Sequence, residues 1–550
     1  MGETTRLESL IERAGFLFPA VPAIIYWFSW AFYRNYWFTT DPAAWYFLDS
    51  LSIFAGKSYV YVDHPGTPVH MIGSILLALT YPFFGDNASF IRYHIAEPET
   101  FFILANMFLL AANVLTMIVF YKTAAGVLQH NKILAATALS LMYFAIHPAS
   151  FSSLTYWSHN SFNFIFGTLW LLWLFRELQT EHKLERQRII LLGITIGMII
   201  TTQLYLVAWL AGGIVSVFTY AIRRGQSFQS AIMNALIMAG SSLAGIVLML
   251  LPIYHELPRL LDWLVRLIGR DGLYGAGAEG VYSPHLLVET IGYWWQNIPL
   301  TMLTLTILII SLAFLTWFIR SRTSSSMTAG DFAFAIGLLA QTIILFLILS
   351  KMYYRVRYVL SLAALLPVLF MVTVKLFEYS RLMAINNVLR VVYIGIIVSA
   401  FFNMSKEIRA QEKKTNVERE SAVNRSQVVT RLAKIKNVSE EDIVTVYAFG
   451  TPFKCAGLLL ANNWVHTFDT EIRERCPNQY AIYDFAYNVE LNVPRPIASI
   501  ETINWDLVVW PGNGSDLPEY LESAGGKIIP KSWHIKYGKW FYIHSQLIPE

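Results

Sequence analysis

Cysteine is scarce in this chain. Its 550 residues include only two cysteines, Cys455 and Cys476. Two cysteines exclude a cysteine-rich metal site. They would form one disulfide if the C-terminal region lies outside the cytoplasm, and they would stay reduced inside it. The sequence leaves both states of this pair open.

Charge is scarce as well. Only 14% of the residues are charged, whereas about a quarter are charged in a soluble domain. The net charge of +4 is spread over loops, and no compact basic patch alternates with aromatic residues, which excludes a nucleic-acid-binding protein. Nucleotide-binding glycine loops, the HExxH zinc motif and the GxSxG nucleophile motif are absent. No cofactor is therefore indicated; a divalent metal is not excluded, but no metal ligands are predicted.

The chain is instead rich in long hydrophobic runs. Hydrophobic residues make up 55% of it and fall into runs of about twenty residues, the length that spans a bilayer as a helix. We therefore predict a polytopic α-helical membrane protein with about eleven spans. The first run follows a charged start and lacks a small-residue cleavage pattern, so it is interpreted as a retained signal anchor. The predicted spans are 14–34, 99–122, 132–149, 161–178, 189–203, 204–222, 230–253, 297–319, 331–349, 358–376 and 389–404.

The run 67–84 decides the sidedness of the chain. From Thr67 to Pro82 it would form a helix of about 22 Å, shorter than the roughly 30 Å hydrocarbon core. If it does not span, the basic loops collect on one side together with the N-terminus, and the positive-inside rule makes that side the cytoplasm. If it spans, the later basic loops move outside. We expect the short, non-spanning helix and a cytoplasmic N-terminus.

Four segments then lie on the extracytoplasmic side. They are a long loop 35–98, a short loop 150–160, a second long loop 254–296 and the segment 351–358. A helix from Pro42 to about Ala55 is predicted within the first loop, and its apolar residues are expected to lie on the membrane surface. These apolar residues are Trp45, Leu48, Leu51 and Phe54.

The composition changes after the last predicted span. The membrane module is predicted to cover 1–404, a polar helical linker 405–439, and a small α/β domain 440–550. An odd number of spans places this last domain outside the cytoplasm. Its predicted strands are Ile443–Phe449, Tyr480–Phe485, Trp505–Trp510 and Lys527–Pro530.

Asp41 is the strongest candidate for a catalytic residue. An aspartate before Pro42 is explained in part as a helix cap followed by a proline in the first turn. A cap does not explain why the carboxylate stands at a membrane interface, where charge is costly and commonly functional. The two roles are compatible, because a cap holds its carboxylate rigidly.

Further polar residues stand in the same loops. Asp63 and His64 precede the helix that begins near Thr67, and they are predicted either to form a polar turn or to bind substrate. Arg92, His159 and Asn160 are weaker substrate-binding candidates, with ordinary interface positions as the alternative.

Three cations and a tyrosine form a candidate phosphate site. Lys351, Arg355, Arg357 and Tyr358 lie at the outer end of a predicted span, on the side where positive charge is normally sparse. Interfacial snorkelling would explain one cation. Because guanidinium groups match phosphate geometry, we predict that the cluster binds the phosphate of a donor.

Together these motifs resemble the GT-C glycosyltransferases that use lipid-linked sugars, especially the protein O-mannosyltransferase and aminoarabinose-transferase branch. The resemblance covers roughly 14–404 and consists of Asp41 after the first helix, His64 before proline, Arg92, and Arg357-Tyr358 opening a later apolar run. It implies that Asp41 acts at the reaction centre. The second acid that the family often carries is replaced here by Pro42, and the short second outer loop offers His159-Asn160 instead of an acid.

The chemistry gives an independent expectation. Nucleotide sugars are cytoplasmic, so a transferase that works outside needs a polyprenyl-phosphate or dolichyl-phosphate sugar. Asp41 would deprotonate the acceptor hydroxyl, and the cations would stabilise the leaving phosphate, with inversion at the anomeric carbon. The acceptor is a lipid, a glycan or a protein, and the sequence does not distinguish them. The alternative is a lipid or polysaccharide transporter, or an assembly subunit without transferase activity.

Overall fold

The structure is a computed structural model. It describes residues 14–34, 36–37, 42–61, 66–180, 184–269, 284–321, 327–350, 356–380, 386–448, 451–482, 505–511, 534–537 and 540–544. The helices of this part of the chain are α1 Ala20–Tyr33, α2 Ala43–Phe54, α3 Thr67–Ala78, α4 Asn87–Ala96, α5 Glu99–Val127, α6 Lys132–Ile146, α7 Phe162–Leu178, α8 Arg186–Ile200, α9 Val207–Arg223, α10 Phe228–Leu250, α11 Leu257–Gly269, α12 Pro284–Asn297, α13 Pro299–Ser321, α14 Ala329–Ser350, α15 Val356–Ser380, α16 Asn386–Lys436, α17 Lys454–Val465 and α18 Asp469–Arg475.

The predicted class of polytopic helical membrane protein is confirmed. Within the described segments, eight helices are long and apolar enough to cross a membrane, or up to ten if each of two bent helix pairs counts as one span. The remaining predicted spans are also helices, but short ones: α6 and α8 have 15 residues each, and α7 has 17. At 1.5 Å per residue, such helices are about 22–26 Å long.

The difficult run 67–84 forms a short helix. α3 has only 12 residues, and Gly66 precedes it with φ +60°. A 3-10 turn follows at Tyr81–Phe83, and the chain then bends by 114° into α4. A helix of about 18 Å does not cross the bilayer core by itself.

The helix bundle has two opposite ends, which differ in the side chains and loops found there. At the first, which we call the basic end, Arg176 Nη2 donates to Thr123 Oγ1 at 2.9 Å, and Lys375 Nζ donates to Gln179 Oε1 at 3.2 Å. These bonds join the end of α7 to α5 and α15. At the other, the site end, lie the described segments 36–37, 42–61, 66–98, 147–161, 200–206, 251–269 and 284–298.

The linker and the C-terminal domain return to the site end. α16 runs for 51 residues, so membrane helix and predicted linker are one continuous helix of about 76 Å. Beyond it lies a five-stranded sheet in the order β2-β1-β3-β5-β4, with β1 parallel to β2 and β3, and with β5 antiparallel to β3 and β4. The strands are β1 Thr445–Ala448, β2 Gln479–Ile482, β3 Leu507–Pro511, β4 His534–Tyr537 and β5 Trp540–His544.

The sheet agrees with three of the four predicted strands. The fourth, Lys527–Pro530, lies outside the described residues, and the hairpin of β4 and β5 was not predicted. Cys455 at the start of α17 and Cys476 after α18 form a disulfide, which answers the question that the sequence left open.

The expectation that α2 lies on the membrane surface is wrong. Trp45, Leu48 and Leu51 are buried, and they share one hydrophobic core with residues of the C-terminal domain. α17 packs directly on α2, and Lys57 after α2 donates to the carbonyl of Thr467. An apolar face looks the same in sequence whether lipid or protein covers it, and here protein covers it.

The predicted outer loop 254–296 contains two helices, α11 and α12. In α11, Leu260 and Trp263 point into the protein, whereas Leu261 and Val265 are exposed. This two-sided pattern is typical of a helix that lies along a membrane interface. The glycine-rich stretch between the two helices lies outside the described residues.

Candidate functional site

The beginning of α2 organises the site end. α2 starts at Ala43, directly after Pro42, and places Tyr46 within its first turn. The ring of Tyr46 packs against Gly66, so closely that a Cβ at position 66 would overlap it. Gly66 also has φ +60°, a conformation that favours glycine. Tyr46 therefore joins the two polar segments of the first loop.

Tyr46 also reaches the second predicted outer loop. Its hydroxyl and Nδ1 of His159 are 2.7 Å apart and form a buried hydrogen bond. His159 begins the 3-10 turn His159–Ser161 ahead of α7. The two outer loops that the sequence singles out are therefore in direct contact.

Asn160 continues this polar network into the bundle. Its Oδ1 accepts a hydrogen bond of 3.0 Å from Gln203 Nε2. Tyr205 lies in the 3-10 turn Leu204–Leu206 that follows Gln203. Its hydroxyl accepts a hydrogen bond of 2.5 Å from Asn163 Nδ2. All four side chains are buried or nearly so. His159 and Asn160 are thus parts of a buried network rather than exposed interface residues.

Asp49 lies one turn beyond Tyr46 and is fully buried. Its two oxygens accept hydrogen bonds from the backbone N–H groups of Val60 and Tyr61, at 3.2 and 3.1 Å. His70 Nε2 lies 3.9 Å from its Oδ2, and the ring of Tyr59 packs on His70. Asp49 therefore holds the backbone of Val60 and Tyr61, just before positions 62–65 in the chain.

Burial raises the pKa of Asp49 to about 7, because a carboxylate is poorly solvated there. The two backbone hydrogen bonds oppose this rise, and so does the positive charge of Arg259. Glu256 adds to it. A pKa raised by burial in this way occurs often at functional sites.

Arg259 lies at the start of α11 and faces the same region. Its side chain is only 12% exposed, and its Nε is 3.3 Å from Glu256 Oε2. Tyr59 packs with Ile253, Leu260 and Trp263 in one apolar cluster that seats α11 against the first loop. A permanent cation thus lies close enough to Asp49 to act on its carboxyl group.

The beginning of α15 lies at the same end. Near the other end of α15, Lys375 packs over Phe175 and bonds to Gln179. α15 also contacts the His159–Ser161 turn, which lies about fifteen residues before Phe175 in the chain, so α15 and α7 run side by side in the same direction. The backbone of Arg357, in the first turn of α15, therefore lies at about the same level of the bundle as His159.

The predicted site residues divide into three groups. Asp41, Asp63, His64, Lys351 and Arg355 lie outside the described residues. For Arg357 and Tyr358 only the helical backbone is described, and it places them at the site end.

The others are described in full. His159 and Asn160 join the buried network. Arg92 is exposed on α4, the helix that begins after the cap Asp86. Among the described residues, no group of three or more His, Cys, Asp and Glu side chains is placed to hold a metal ion.

Sequence reasoning did not assign roles to Tyr46, Asp49, His70 and Arg259. Asp49 and His70 carried a signal, because buried polar side chains in apolar helices need partners. The role of Tyr46 depends on a contact with His159, which lies 113 residues away in the chain. No local pattern predicts such a contact.

The fold and the site end define an integral-membrane helical protein with a buried polar site at one end of its bundle. No family model matches the chain, and no curated protein matches it. Four chains among the solved structures are similar to it, and two of them are described here. An oligosaccharyltransferase of Archaeoglobus fulgidus, in complex with Zn and sulfate, has 14% identity and a TM-score of 0.46, over 95% of this chain and 73% of its own.

The second is ArnT from Cupriavidus metallidurans bound to undecaprenyl phosphate. It has 11% identity and a TM-score of 0.48, over 97% of this chain and 98% of its own. At TM-scores below 0.5, neither assigns a substrate, a topology or a site residue to this chain.

Proposed function

We propose that this protein is an inverting membrane glycosyltransferase. It moves a sugar from a polyprenyl-phosphate or dolichyl-phosphate donor to a lipid, glycan or protein acceptor on the extracytoplasmic side. The observation that carries the proposal is the contact between the two outer loops at Tyr46 and His159, at the end where α15 begins. It brings α2, which begins two residues after position 41, to the end of the bundle where α15, the helix of Arg357, begins.

The proposed mechanism needs one base and a set of cations. Asp41, next to Pro42 at the start of α2, deprotonates the acceptor hydroxyl. The hydroxyl oxygen attacks the anomeric carbon, and the bond to the lipid phosphate breaks with its electrons on the phosphate. Arg357, with Arg355 or Lys351, stabilises the phosphate that leaves. A single displacement inverts the anomeric centre.

Two observations support an extracytoplasmic site. Disulfides persist in oxidising compartments, and the disulfide of Cys455 and Cys476 lies in the domain that packs on α2. Described basic residues such as Arg176, Arg224 and Lys375 lie at the opposite end of the bundle, as the positive-inside rule expects for the cytoplasmic side. The N-terminus is then cytoplasmic, and the protein resides in the plasma membrane or the endoplasmic reticulum according to its host.

The direct test is transfer by the purified protein. It is incubated with a polyprenyl-phosphate sugar, and release of polyprenyl phosphate is followed by mass spectrometry. We expect release by the natural chain and a loss of at least about a hundredfold in Asp41→Asn. Asp86→Asn is the matched control, because Asp86 caps α4 in the same loop and asparagine caps equally well.

Either of two results would contradict the proposal. One is full activity of Asp41→Asn with the anomeric configuration of the product unchanged. The other is lipid flux across vesicles without any release of polyprenyl phosphate, which would support the transporter.

A further inference from the structure

α11 lies between the polar network and the lipid-facing surface. Leu260 and Trp263 pack inward with Tyr59. On its other side Leu261 is 59% exposed and Val265 is 65% exposed. Side chains three and four residues apart share a face of a helix, so one face is held by protein and the opposite face meets lipid.

The side chain of Arg259 on this helix is unusually buried for an arginine near a membrane interface. An arginine at a membrane interface normally extends its guanidinium group into water. Arg259 instead has a side chain only 12% exposed. Its Nε and Nη1 atoms are buried and make no hydrogen bond to any described residue. Its ion pair with Glu256, at 3.3 Å from Nε, is the one polar contact described for it.

This arrangement leaves hydrogen-bonding capacity unused. A guanidinium group has five N–H donors and does not lose its charge in proteins, so burial cannot be relieved by deprotonation. Buried charges are stable when they are both paired and hydrogen-bonded. One carboxylate near Nε leaves the buried Nη1 without an acceptor among the described residues. A phosphate group has several oxygens that can accept hydrogen bonds from the N–H groups of a guanidinium.

The surroundings match a lipid phosphate. Arg259 is near Asp49 and Tyr59 of the first loop, and so next to the segment that leads to positions 62–65. Exposed apolar side chains stand at the end of α10 and on the outer face of α11, at Leu248 and Leu261, where a hydrocarbon chain can cover them. A phosphate at Arg259 would lie beside the polar network, with its hydrocarbon chain passing to this apolar outer face.

We infer that Arg259 is a further binding residue for the phosphate of the lipid-linked donor, with the polyprenyl chain along the exposed faces of α10 and α11. This inference rests on the proposed function and assigns a described residue to the donor. It also distinguishes Arg259 from the structural arginines of the basic end.

The test is equilibrium binding of a short-chain polyprenyl phosphate to the full-length protein in detergent. We expect Arg259→Gln to weaken binding at least about tenfold, since a charged hydrogen bond is lost, and Arg259→Lys to weaken it less. Arg224→Gln is the control. Arg224 also carries a guanidinium, but it lies at the basic end and donates to the carbonyl of Thr180.

Two further measurements sharpen the result. In the transfer assay, Arg259→Gln should raise the KM for the donor more than it lowers kcat. If Arg259→Gln fails to fold, Glu256→Gln with Arg259→Gln removes both charges of the pair and is tested instead. Inorganic phosphate is the competing probe, and we expect no competition in the millimolar range.

The outcomes separate this inference from the proposed function. Loss of lipid phosphate binding in Arg259→Gln supports the inference even if no transfer is observed. Unchanged binding and unchanged KM overturn it while transfer persists. Competition by inorganic phosphate at the affinity of the lipid also overturns it, because the site would then take a free anion.

Discussion

Two buried aspartates, one at each end of the bundle, have different surroundings. At the basic end, Asp331 Oδ1 accepts from Lys375 Nζ at 2.7 Å and from Gln179 Nε2 at 2.9 Å. Its Oδ2 accepts from Tyr379 and Thr328. At the site end, Asp49 has two longer backbone hydrogen bonds and a histidine at 3.9 Å.

The difference indicates a structural role for the basic end and a functional role for the site end. Asp331 is saturated with donors and paired with a cation, so it stabilises the packing of α7, α14 and α15 and has no capacity left for a ligand. At the site end, Arg259 has buried donors without described acceptors, and the pKa of Asp49 is raised. Proteins accept such costs where a ligand or reaction needs them.

Breaking the paired end should have the largest effect on stability. Lys375→Met leaves Asp331 buried without its cation, and we expect a loss of about 3 kcal/mol in the free energy of unfolding. Adding Asp331→Asn should recover most of this loss, because asparagine still accepts hydrogen bonds there. Thermal unfolding in detergent, followed by tryptophan fluorescence, measures both.

An exposed ion pair at the same end is the control. Arg188 bonds to Glu177 at 2.6 Å but is 46% exposed, so Arg188→Gln should cost less than about 1 kcal/mol. If Arg188→Gln costs as much as Lys375→Met, burial is not what makes the Asp331 pair important.

Gly66 offers the next largest effect, at the site end. Gly56 and Gly66 both have positive φ, +69° and +60°, so alanine is strained at either position by about 1–2 kcal/mol. At Gly66 a Cβ also overlaps the ring of Tyr46, whereas at Gly56 it meets open space. We expect Gly66→Ala to abolish most transfer, and Gly56→Ala to retain it at slightly lower stability. Equal activities of the two variants would show that the position of Tyr46 is unimportant.

Asp49 should make stability depend on pH. Its unfolded pKa is about 3.9, and burial raises the folded value to about 7. The folded state therefore binds the proton more tightly. The contribution of Asp49 to the free energy of unfolding is therefore present in full below the unfolded pKa. It falls by roughly 1 kcal/mol per pH unit as the pH rises to about 7.

Asp49→Asn should flatten the melting temperature between pH 5 and 7. His70 lies at 3.9 Å from Asp49, and Arg259 and Glu256 also act on it, so the comparison is repeated with His70→Gln. An unchanged pH slope in Asp49→Asn would assign the titration to another group.

The smallest expected effect is that of a single hydroxyl. Tyr46→Phe removes the buried hydrogen bond to His159 and should cost about 1 kcal/mol together with part of the transfer activity. Tyr93→Phe is the control, because its bond to Thr100 is exposed. Stability and donor KM are measured for both. If the two variants behave alike, the contact between the outer loops does not support the site.

Much of the bundle is predictable from the sequence because long apolar runs have few alternatives in a membrane. Every predicted span is a helix in the structure, and the short α3 follows from the length of its run. The positions of β1, β2 and β3 were also predicted, from short apolar runs in a polar region, but their order in the sheet was not. His159 and Asn160 were found as polar residues at the mouth of a helix.

What was missed depends on distant packing. The buried face of α2 is covered by α17, more than 400 residues later in the sequence. The role of Arg259 follows from burial without acceptors, which a loop sequence does not reveal. Periodicity gives an apolar face, but it does not say which element covers it.

The most direct test of the central claim is a distance between positions 41 and 357. Cysteines are introduced at both, spin-labelled and measured by pulsed electron resonance in detergent; the two native cysteines are already joined as a disulfide. If both positions face one cavity at the site end, the labels should be well under about 30 Å apart. A separation of about 30 Å or more, the thickness of the hydrocarbon core, would place them at opposite ends and contradict the account.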